Sequence, residues 1–143
     1  MPHILVVEDD QFLSAAYKLK LEKEEFTVSL AQDGQEALDM LQTLTPDLIL
    51  LDLVMPIKDG FAVLSDLKES EKLRDIPVII ASNLGQDEEI KRGIAMGAVD
   101  YIVKSNTSLE EIVQKIEMIG DNKSGLYMLD NELGARVAAP AVV

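Results

Sequence analysis

The sequence contains no cysteine and no tryptophan, and aromatic residues make up only 4% of its 143 positions. Without cysteine the chain can form neither disulfides nor thiolate metal sites. Because so few aromatic residues are available, a packed core has to be built mainly from aliphatic side chains. The length suits one domain with a single core rather than two domains.

Basic residues are also scarce, with 13 Lys and Arg against 26 Asp and Glu, which gives a formal net charge of −13. This charge repels nucleic acid phosphates and anionic membrane surfaces, so we expect neither direct nucleic acid binding nor membrane association. The sequence shows no signal-like segment, and Asp52 interrupts the longest apolar run before it could span a bilayer. These features predict a cytoplasmic protein.

Short apolar runs alternate with amphipathic stretches five times along the chain, and this alternation predicts five strand-helix pairs. The predicted strands cover residues 4–7, 26–31, 48–51, 77–81 and 99–103. The second helix is expected to include Leu44, since Pro46 marks its end. Thr107 and Glu110 are predicted to form a capping box at the start of the fifth helix.

The predicted strands are largely apolar, which is typical of parallel strands covered on both faces. Parallel neighbours need crossover connections, and right-handed crossovers place helices on both sides of the sheet. We therefore predict an α/β fold with a doubly wound, five-stranded parallel sheet and helices on both faces. The strand order stays open at this point.

Polar residues end four of the predicted strands: Glu8 and Asp9 the first, Asp52 the third, Ser82 the fourth and Lys104 the fifth. In open α/β sheets, the functional crevice lies beyond these carboxyl ends. Three converging carboxylates would repel one another unless a cation were bound, and oxygen ligands favour Mg²⁺. A carboxylate nucleophile with Mg²⁺, a lysine and a hydroxyl indicates phosphoryl transfer, in which Asp52 would become an aspartyl phosphate.

Each of these residues also has a structural explanation when it is taken singly. Glu8 and Asp9 could be charges that the helix dipole favours at a helix start, and we predict this role for Asp10. Ser82 could be a turn residue and Lys104 a solvated surface lysine. Their joint placement favours the functional interpretation.

Over roughly residues 1–120, the sequence resembles the receiver domains of response regulators in two-component signalling. The matching motifs are Val7-Glu8-Asp9-Asp10, Asp52-Leu53-Val54-Met55-Pro56 with Asp59-Gly60, Ser82, and Tyr101-Ile102-Val103-Lys104. The resemblance implies a flavodoxin-like receiver fold that switches on phosphorylation. It also implies a phosphoacceptor that assists its own phosphotransfer, not an enzyme, with at most slow autodephosphorylation.

The resemblance further implies a role for each acidic residue of the site. Asp52 would be the phosphoacceptor. Asp9, Asp52 and the Val54 backbone carbonyl would ligate Mg²⁺. Glu8 would act on the metal mostly through water.

The remaining site residues would bind phosphate and transmit the switch. Lys104 and Ser82 would hold phosphate oxygens, and the resemblance assigns Ser82 and Tyr101 to a switch that remodels the face of the fourth helix, fifth strand and fifth helix. The phosphoryl donor would be a phosphohistidine on a sensor histidine kinase or a histidine phosphotransfer protein. The switched face would control an unknown downstream protein or the formation of a homodimer.

Three departures from the family pattern predict specific behaviour. Ser105 follows Lys104 where the family commonly has a cis proline, and a cis bond before serine would cost about 2.5–4 kcal/mol, so we predict either a trans peptide bond or a strained one. Val54 and Leu84 stand where faster family members carry polar side chains that orient water, which predicts a long-lived phosphoryl group. Asn83 replaces a small residue and is expected to narrow access to the site.

Two other functional classes use similar parts. An aspartate-nucleophile phosphatase would need a second acid at position 54, where Val54 is apolar, and a cap insertion that the sequence does not show. A flavodoxin-like or nucleotide-binding module would need a phosphate-binding loop after the first strand, where Glu8-Asp9-Asp10 would repel phosphate. A degenerate, non-phosphorylated receiver is a third alternative, although each essential residue type is present.

Beyond residue 120 the composition changes, and we predict a linker and tail at residues 121–143 after a receiver domain at residues 1–120. Residues 121–125 have a linker composition, and residues 135–143 are mostly small and apolar. A short docking helix is predicted between them from Leu126, Met128, Leu129 and Leu133. No output domain is recognisable, so we expect a stand-alone receiver or a fragment.

Overall fold

The computed structural model describes residues 2–121. Within these residues the chain divides into two units, one before and one after the boundary between Leu109 and Glu110. Residues 122–143, with most of the predicted linker and the docking helix, lie outside the described part, and the predicted domain boundary at residue 120 stays a prediction. Within residues 2–121, no helix is both long enough and apolar enough to cross a membrane.

Strands and helices alternate along the chain as the sequence predicts. They are β1 (His3–Val7), α1 (Gln11–Lys23), β2 (Thr27–Ala31), α2 (Gly34–Met40), β3 (Leu48–Leu51), α3 (Gly60–Glu69), β4 (Val78–Ser82), α4 (Asp87–Ala95), β5 (Asp100–Val103) and α5 (Leu109–Asp121). All strand pairs are parallel, in the order β2-β1-β3-β4-β5. This is the flavodoxin-like order of a doubly wound sheet.

Helices cover both faces of the sheet. The connection from β1 to β2 runs in the opposite direction across the sheet from the connection between β2 and β3, so right-handed crossovers put α1 and α2 on opposite faces. The main hydrophobic core includes Leu5, Val7, Ala37, Leu41, Ile49, Leu51, Val63, Leu64, Leu67, Val78 and Ile80. The buried side of α1 carries Tyr17 and Leu21. The predicted α/β class is confirmed.

The prediction that the second helix includes Leu44 is wrong, because α2 ends at Met40. The N–H groups of Gln42 and Thr43 bond to carbonyls three residues earlier, which is the tightening that often ends a helix. Pro46 also disfavours helical backbone in the residue before it. The chain therefore leaves the helix sooner than its apolar pattern suggests.

The capping box at Thr107 is also wrong, because α5 begins at Leu109 and Ser108 precedes its first residue. A short 3-10 helix, Lys104–Asn106, follows β5, and the Thr107 N–H bonds to the Lys104 carbonyl. Thr107 thus ends this short helix instead of starting α5. Three strands, β2, β4 and β5, begin one residue later than predicted.

Candidate functional site

The carboxyl ends of the central strands meet at one edge of the sheet. In the parallel register, Val7 pairs with Leu51, and Leu51 pairs with Ile80. The strand order changes direction between β1 and β3, and open α/β sheets bind ligands at such a switch point. Side chains that follow these strands are therefore neighbours in space.

Three carboxylates form an acidic cluster at this edge. Glu8, Asp9 and Asp52 each place a carboxylate oxygen within 4.8 Å of the others. Glu8 is 3% exposed and Asp52 is 5% exposed, whereas Asp9 faces solvent. The backbone N–H of Leu53 donates to Asp52 Oδ1 at 2.8 Å and fixes the orientation of that carboxylate. The structure thus brings together the acids that the sequence predicts.

Lys104, which follows β5, reaches into the acidic cluster. Its Nζ lies 2.8 Å from Glu8 Oε1 and 3.5 Å from Asp52 Oδ2. The other Glu8 oxygen accepts a hydrogen bond from the Asp10 backbone N–H at 3.1 Å. The sequence prediction missed the ion pair between Glu8 and Lys104, which are 96 positions apart, because no local pattern links them.

Burial and charge act in opposite directions on this ion pair. Burial raises the pKa of Glu8 from 4.5 to about 7; the Lys104 hydrogen bond opposes this rise and the Asp52 charge adds to it. Burial works to lower the pKa of Lys104, but the hydrogen bond to Glu8 and the charges of Asp52 and Glu8 outweigh it and raise that pKa. Lys104 therefore stays protonated, while Glu8 titrates near neutral pH in the metal-free protein.

The raised pKa of Glu8 predicts how the stability of the metal-free protein depends on pH. An acid whose pKa is higher in the folded than in the unfolded state binds more protons when the protein is folded. Its contribution to the free energy of unfolding is therefore full below about pH 4.5 and is lost as the pH rises through 7. The loss amounts to at most about 3 kcal/mol. Urea unfolding at pH 5 and pH 8 with a chelator measures it, with Glu8→Gln as the comparison. Identical pH dependence in the two proteins would contradict the raised pKa.

The acidic cluster fits a hard divalent cation. It combines three carboxylates, two of them buried, with one lysine beside them. Mg²⁺ binds through one or two carboxylates, keeps several waters and leaves room for phosphate oxygens. Asp9, Asp52 and Glu8 are the side chains that would hold the ion, and the Val54 carbonyl stays a predicted ligand.

Ser82 and Tyr101 are joined through the loop after β4. Ser82 is fully buried, and its Oγ accepts a hydrogen bond from the Leu84 N–H at 3.2 Å. The Tyr101 hydroxyl donates to the Leu84 carbonyl. Burial, and to a smaller extent the Glu89 charge, raises the pKa of Tyr101, while a hydrogen bond with Ser82 works to lower it. The two predicted switch residues are thus physically connected, while their switching role stays a prediction.

Two local sequence predictions, the peptide bond before Ser105 and the role of Asp10, can be compared with the structure directly. The structure has no cis peptide bond within residues 2–121, so of the two predicted forms the bond between Lys104 and Ser105 takes the trans one. Asp10 caps α1 by accepting from the backbone N–H groups of Phe12 and Leu13, as its predicted role requires. The expected effect of Asn83 on access stays a prediction.

Comparison with known proteins gives concordant matches. Residues 4–117 match the response regulator receiver domain family. RpaA of Synechocystis, a DNA-binding dual master transcriptional regulator, is 36% identical over 119 residues, covering 83% of this chain and 49% of RpaA. The receiver domain of Francisella response regulator 1452 has a TM-score of 0.79 at 31% identity, covering 85% of this chain and 98% of that one. The Mn(2+)-bound form of response regulator Rcp1 has a TM-score of 0.76 at 29% identity, covering 84% and 94%.

The chain therefore belongs to the response regulator receiver domain family, whose general function is phosphorelay signalling. Receiver domains generally bind Mg²⁺ at an acidic pocket, and this chain has an acidic cluster at its switch point. The chain spans about half the length of RpaA, so the activity and partners of such whole proteins are not carried over to it.

Proposed function

We propose that Asp52 accepts a phosphoryl group from a phosphohistidine on a sensor histidine kinase or a histidine phosphotransfer protein. One observation carries this proposal: the nearly fully buried Asp52 carboxylate lies beside two further acids and the Lys104 ammonium at the switch point. Burying like charges together is costly unless they bind a cation or a reactant. The cluster is therefore best explained as a reaction site.

In the proposed transfer, an Asp52 carboxylate oxygen attacks phosphorus and the P–N bond to the imidazole breaks. The electron pair of that bond stays on the histidine nitrogen, which takes up a proton. Lys104 offers a positive charge to the phosphoryl oxygens, and the Ser82 hydroxyl is proposed to turn its proton towards one of them. Mg²⁺, when bound, would neutralise charge on the transferring group. The Mn(2+)-bound form of Rcp1 supports a divalent cation here.

Phosphorylation is proposed to act through Ser82 and Tyr101 on the surface of α4 and β5, part of the output face that the family resemblance implies. The hydrogen bonds that link both side chains to Leu84 support this route, because a shift of Ser82 towards phosphate would alter the loop that holds Tyr101. The output would be an unknown protein partner or a homodimer, without direct nucleic acid binding by this chain. A cytoplasmic location is part of the proposal.

The proposal is tested by incubating the protein with acetyl phosphate and measuring its intact mass, with Mg²⁺ or with a chelator. We expect one phosphoryl adduct that forms with Mg²⁺ and is strongly reduced by the chelator. Size-exclusion chromatography with beryllofluoride and Mg²⁺ then tests for a dimer. An adduct that forms equally well with the chelator would contradict the Mg²⁺-dependent transfer.

A long phosphoryl lifetime is expected because the side chains flanking the site are apolar. Val54 is 59% exposed and Leu84 is half-buried, and neither side chain can orient an attacking water. Val54→Asn is expected to speed loss of the acyl phosphate about 10-fold by adding a hydrogen-bonding group next to the site. The decay of phosphoprotein after removal of the donor measures the rate.

Ile57→Asn is the matched control for Val54→Asn. Ile57 lies in the same loop, is 80% exposed and has a left-handed φ of 70°, which asparagine adopts readily. Its substitution should leave the decay rate unchanged. Decay of the wild-type adduct within seconds, or equal acceleration by both substitutions, would count against the water-exclusion explanation. Slow autodephosphorylation is the most catalysis that we propose for this domain.

A further inference from the structure

Tyr17 carries a buried hydroxyl that the site described so far does not use. The residue lies on the buried side of α1 and is 1% exposed. Its hydroxyl has no hydrogen-bond partner within the described part of the chain. A buried hydroxyl left without a partner is costly, and most such groups in proteins bond to a protein atom or to ordered water. We therefore expect this hydroxyl to have a hydrogen-bond partner that is not a protein atom.

The position of Tyr17 on α1 favours a hydroxyl that points towards the acidic cluster. Long helical side chains lean towards the N-terminus of their helix, and α1 begins just after Glu8 and Asp9. Ser14, about one turn earlier on the same buried side, donates its hydroxyl to the Glu8 carbonyl at 3.1 Å. Burial raises the pKa of Tyr17, and the charges of Glu8 and then Asp52 raise it further. The hydroxyl therefore lies in the electric field of both buried acids.

The Glu8 carboxylate has acceptor capacity for a further donor. One oxygen accepts from Lys104 at 2.8 Å and the other from the Asp10 N–H at 3.1 Å. Each carboxylate oxygen can accept two hydrogen bonds, so one donor on each leaves two sites open. A single water that accepts from Tyr17 and donates to Glu8 would satisfy the hydroxyl, and buried waters commonly bridge polar groups in this way.

We propose that Tyr17 is a positioning residue of the acidic cluster, acting on Glu8 through one buried water. Through this hydrogen-bonded water, Tyr17 would fix the orientation of the Glu8 carboxylate before the divalent cation binds. Groups that hydrogen-bond to metal-binding carboxylates typically change metal affinity by about 10–100-fold when they are removed. The inference rests on the proposed Mg²⁺ site and adds a residue of α1 to it.

The water is tested by a high-resolution crystal structure of the wild-type protein. We expect an ordered water within hydrogen-bonding distance of both the Tyr17 hydroxyl and a Glu8 carboxylate oxygen. A hydroxyl that bonds to another group, or that has no partner, would overturn the proposal. This measurement needs no substitution, so it stays decisive even if a Tyr17 variant fails to fold.

The positioning role is tested by Mg²⁺ titration calorimetry of the wild type and Tyr17→Phe, which keeps the ring and removes only the hydroxyl. We expect Tyr17→Phe to weaken Mg²⁺ binding about 10-fold. Leu21→Met is the control, because Leu21 is fully buried on the same side of α1 and the swap conserves its volume; it should bind Mg²⁺ like the wild type. The melting temperature of the metal-free variants is measured in parallel.

The outcomes separate this inference from the proposed function. Unchanged Mg²⁺ affinity in Tyr17→Phe, with a higher metal-free melting temperature, would show an unpartnered hydroxyl and overturn the positioning role alone. Equal weakening by Leu21→Met would reduce the effect to packing and overturn it as well. If the wild type does not bind Mg²⁺, the proposed function fails and this inference fails with it.

Discussion

Replacing Lys104 with methionine is expected to slow the proposed phosphoryl transfer to Asp52 by about 10²–10³-fold, the usual effect of removing one group that stabilises developing charge. The Lys104 Nζ lies 3.5 Å from Asp52 Oδ2 and brings a positive charge to this carboxylate. Methionine fills a similar volume without charge. The rate is measured by the appearance of the phosphoryl adduct with acetyl phosphate as donor.

Lys58→Met is the matched control for this substitution. Lys58 also forms an ion pair, with Asp66 at 2.5 Å, but it lies in the loop before α3 and is more exposed than Lys104. Its replacement should leave the rate of transfer near the wild-type value. Equal rates for Lys104→Met and the wild type would contradict the proposed role of Lys104 as a phosphate-binding residue.

The same substitution is expected to destabilise the fold in a pH-dependent way. Without Lys104, the buried Glu8 carboxylate loses its partner, and a buried charge left unpaired costs about 3–5 kcal/mol. The loss should be smaller at pH 5, where the raised pKa of Glu8 keeps that group largely protonated. Unfolding measured at pH 5 and at pH 8 therefore separates the effect of the unpaired charge from the effect of lost packing.

Gly60→Ala is expected to destabilise the domain by about 3 kcal/mol through overpacking. An added Cβ would lie 2.2 Å from the Asp52 carbonyl oxygen and 2.7 Å from Leu53 Cα, and both are backbone atoms that cannot rotate away. The Gly60 N–H also donates to the Leu53 carbonyl at 2.9 Å. The start of α3 would have to separate from the segment that carries Asp52. Urea unfolding measures the loss.

Gly85→Ala is the control for this close approach. A Cβ there would meet only the Val103 side chain, at 3.1 Å, so a small side-chain shift can accommodate it. Its effect should stay within about 1 kcal/mol. Equal losses of stability in the two variants would contradict the explanation by the contact with the Asp52 carbonyl, because the effect of Gly→Ala on the unfolded chain is stabilising.

The sequence predicts the sheet and the position of the acidic residues well because both depend on local pattern. The apolar run at Leu48–Leu51 can be buried on both faces only as a central strand, and Asp52 must then lie at its carboxyl end. The same reasoning places Glu8 after β1. Parallel strands align these ends, so closeness in space follows from topology without any knowledge of side-chain contacts.

Features that depend on packing could not be predicted in this way. The end of α2 is set by turn hydrogen bonds around Gln42 and Thr43, which apolar spacing does not encode. The ion pair between Glu8 and Lys104 and the raised pKa of Glu8 require the folded geometry, because burial and charge pull that pKa in opposite directions. The Tyr17 hydroxyl likewise becomes buried, without a partner among the described residues, only when the chain folds.

The most direct test of phosphorylation at Asp52 compares the wild type, Asp52→Asn and Asp59→Asn after treatment with acetyl phosphate and Mg²⁺. Asp59 caps α3 through the Ala62 N–H, and asparagine preserves such a cap, so Asp59→Asn is a matched removal of a nearby carboxylate. Intact mass is measured first, and peptide mapping then locates the adduct. We predict one phosphoryl group on Asp52 in the wild type and in Asp59→Asn, and none in Asp52→Asn. An adduct of equal yield in Asp52→Asn would contradict the proposal.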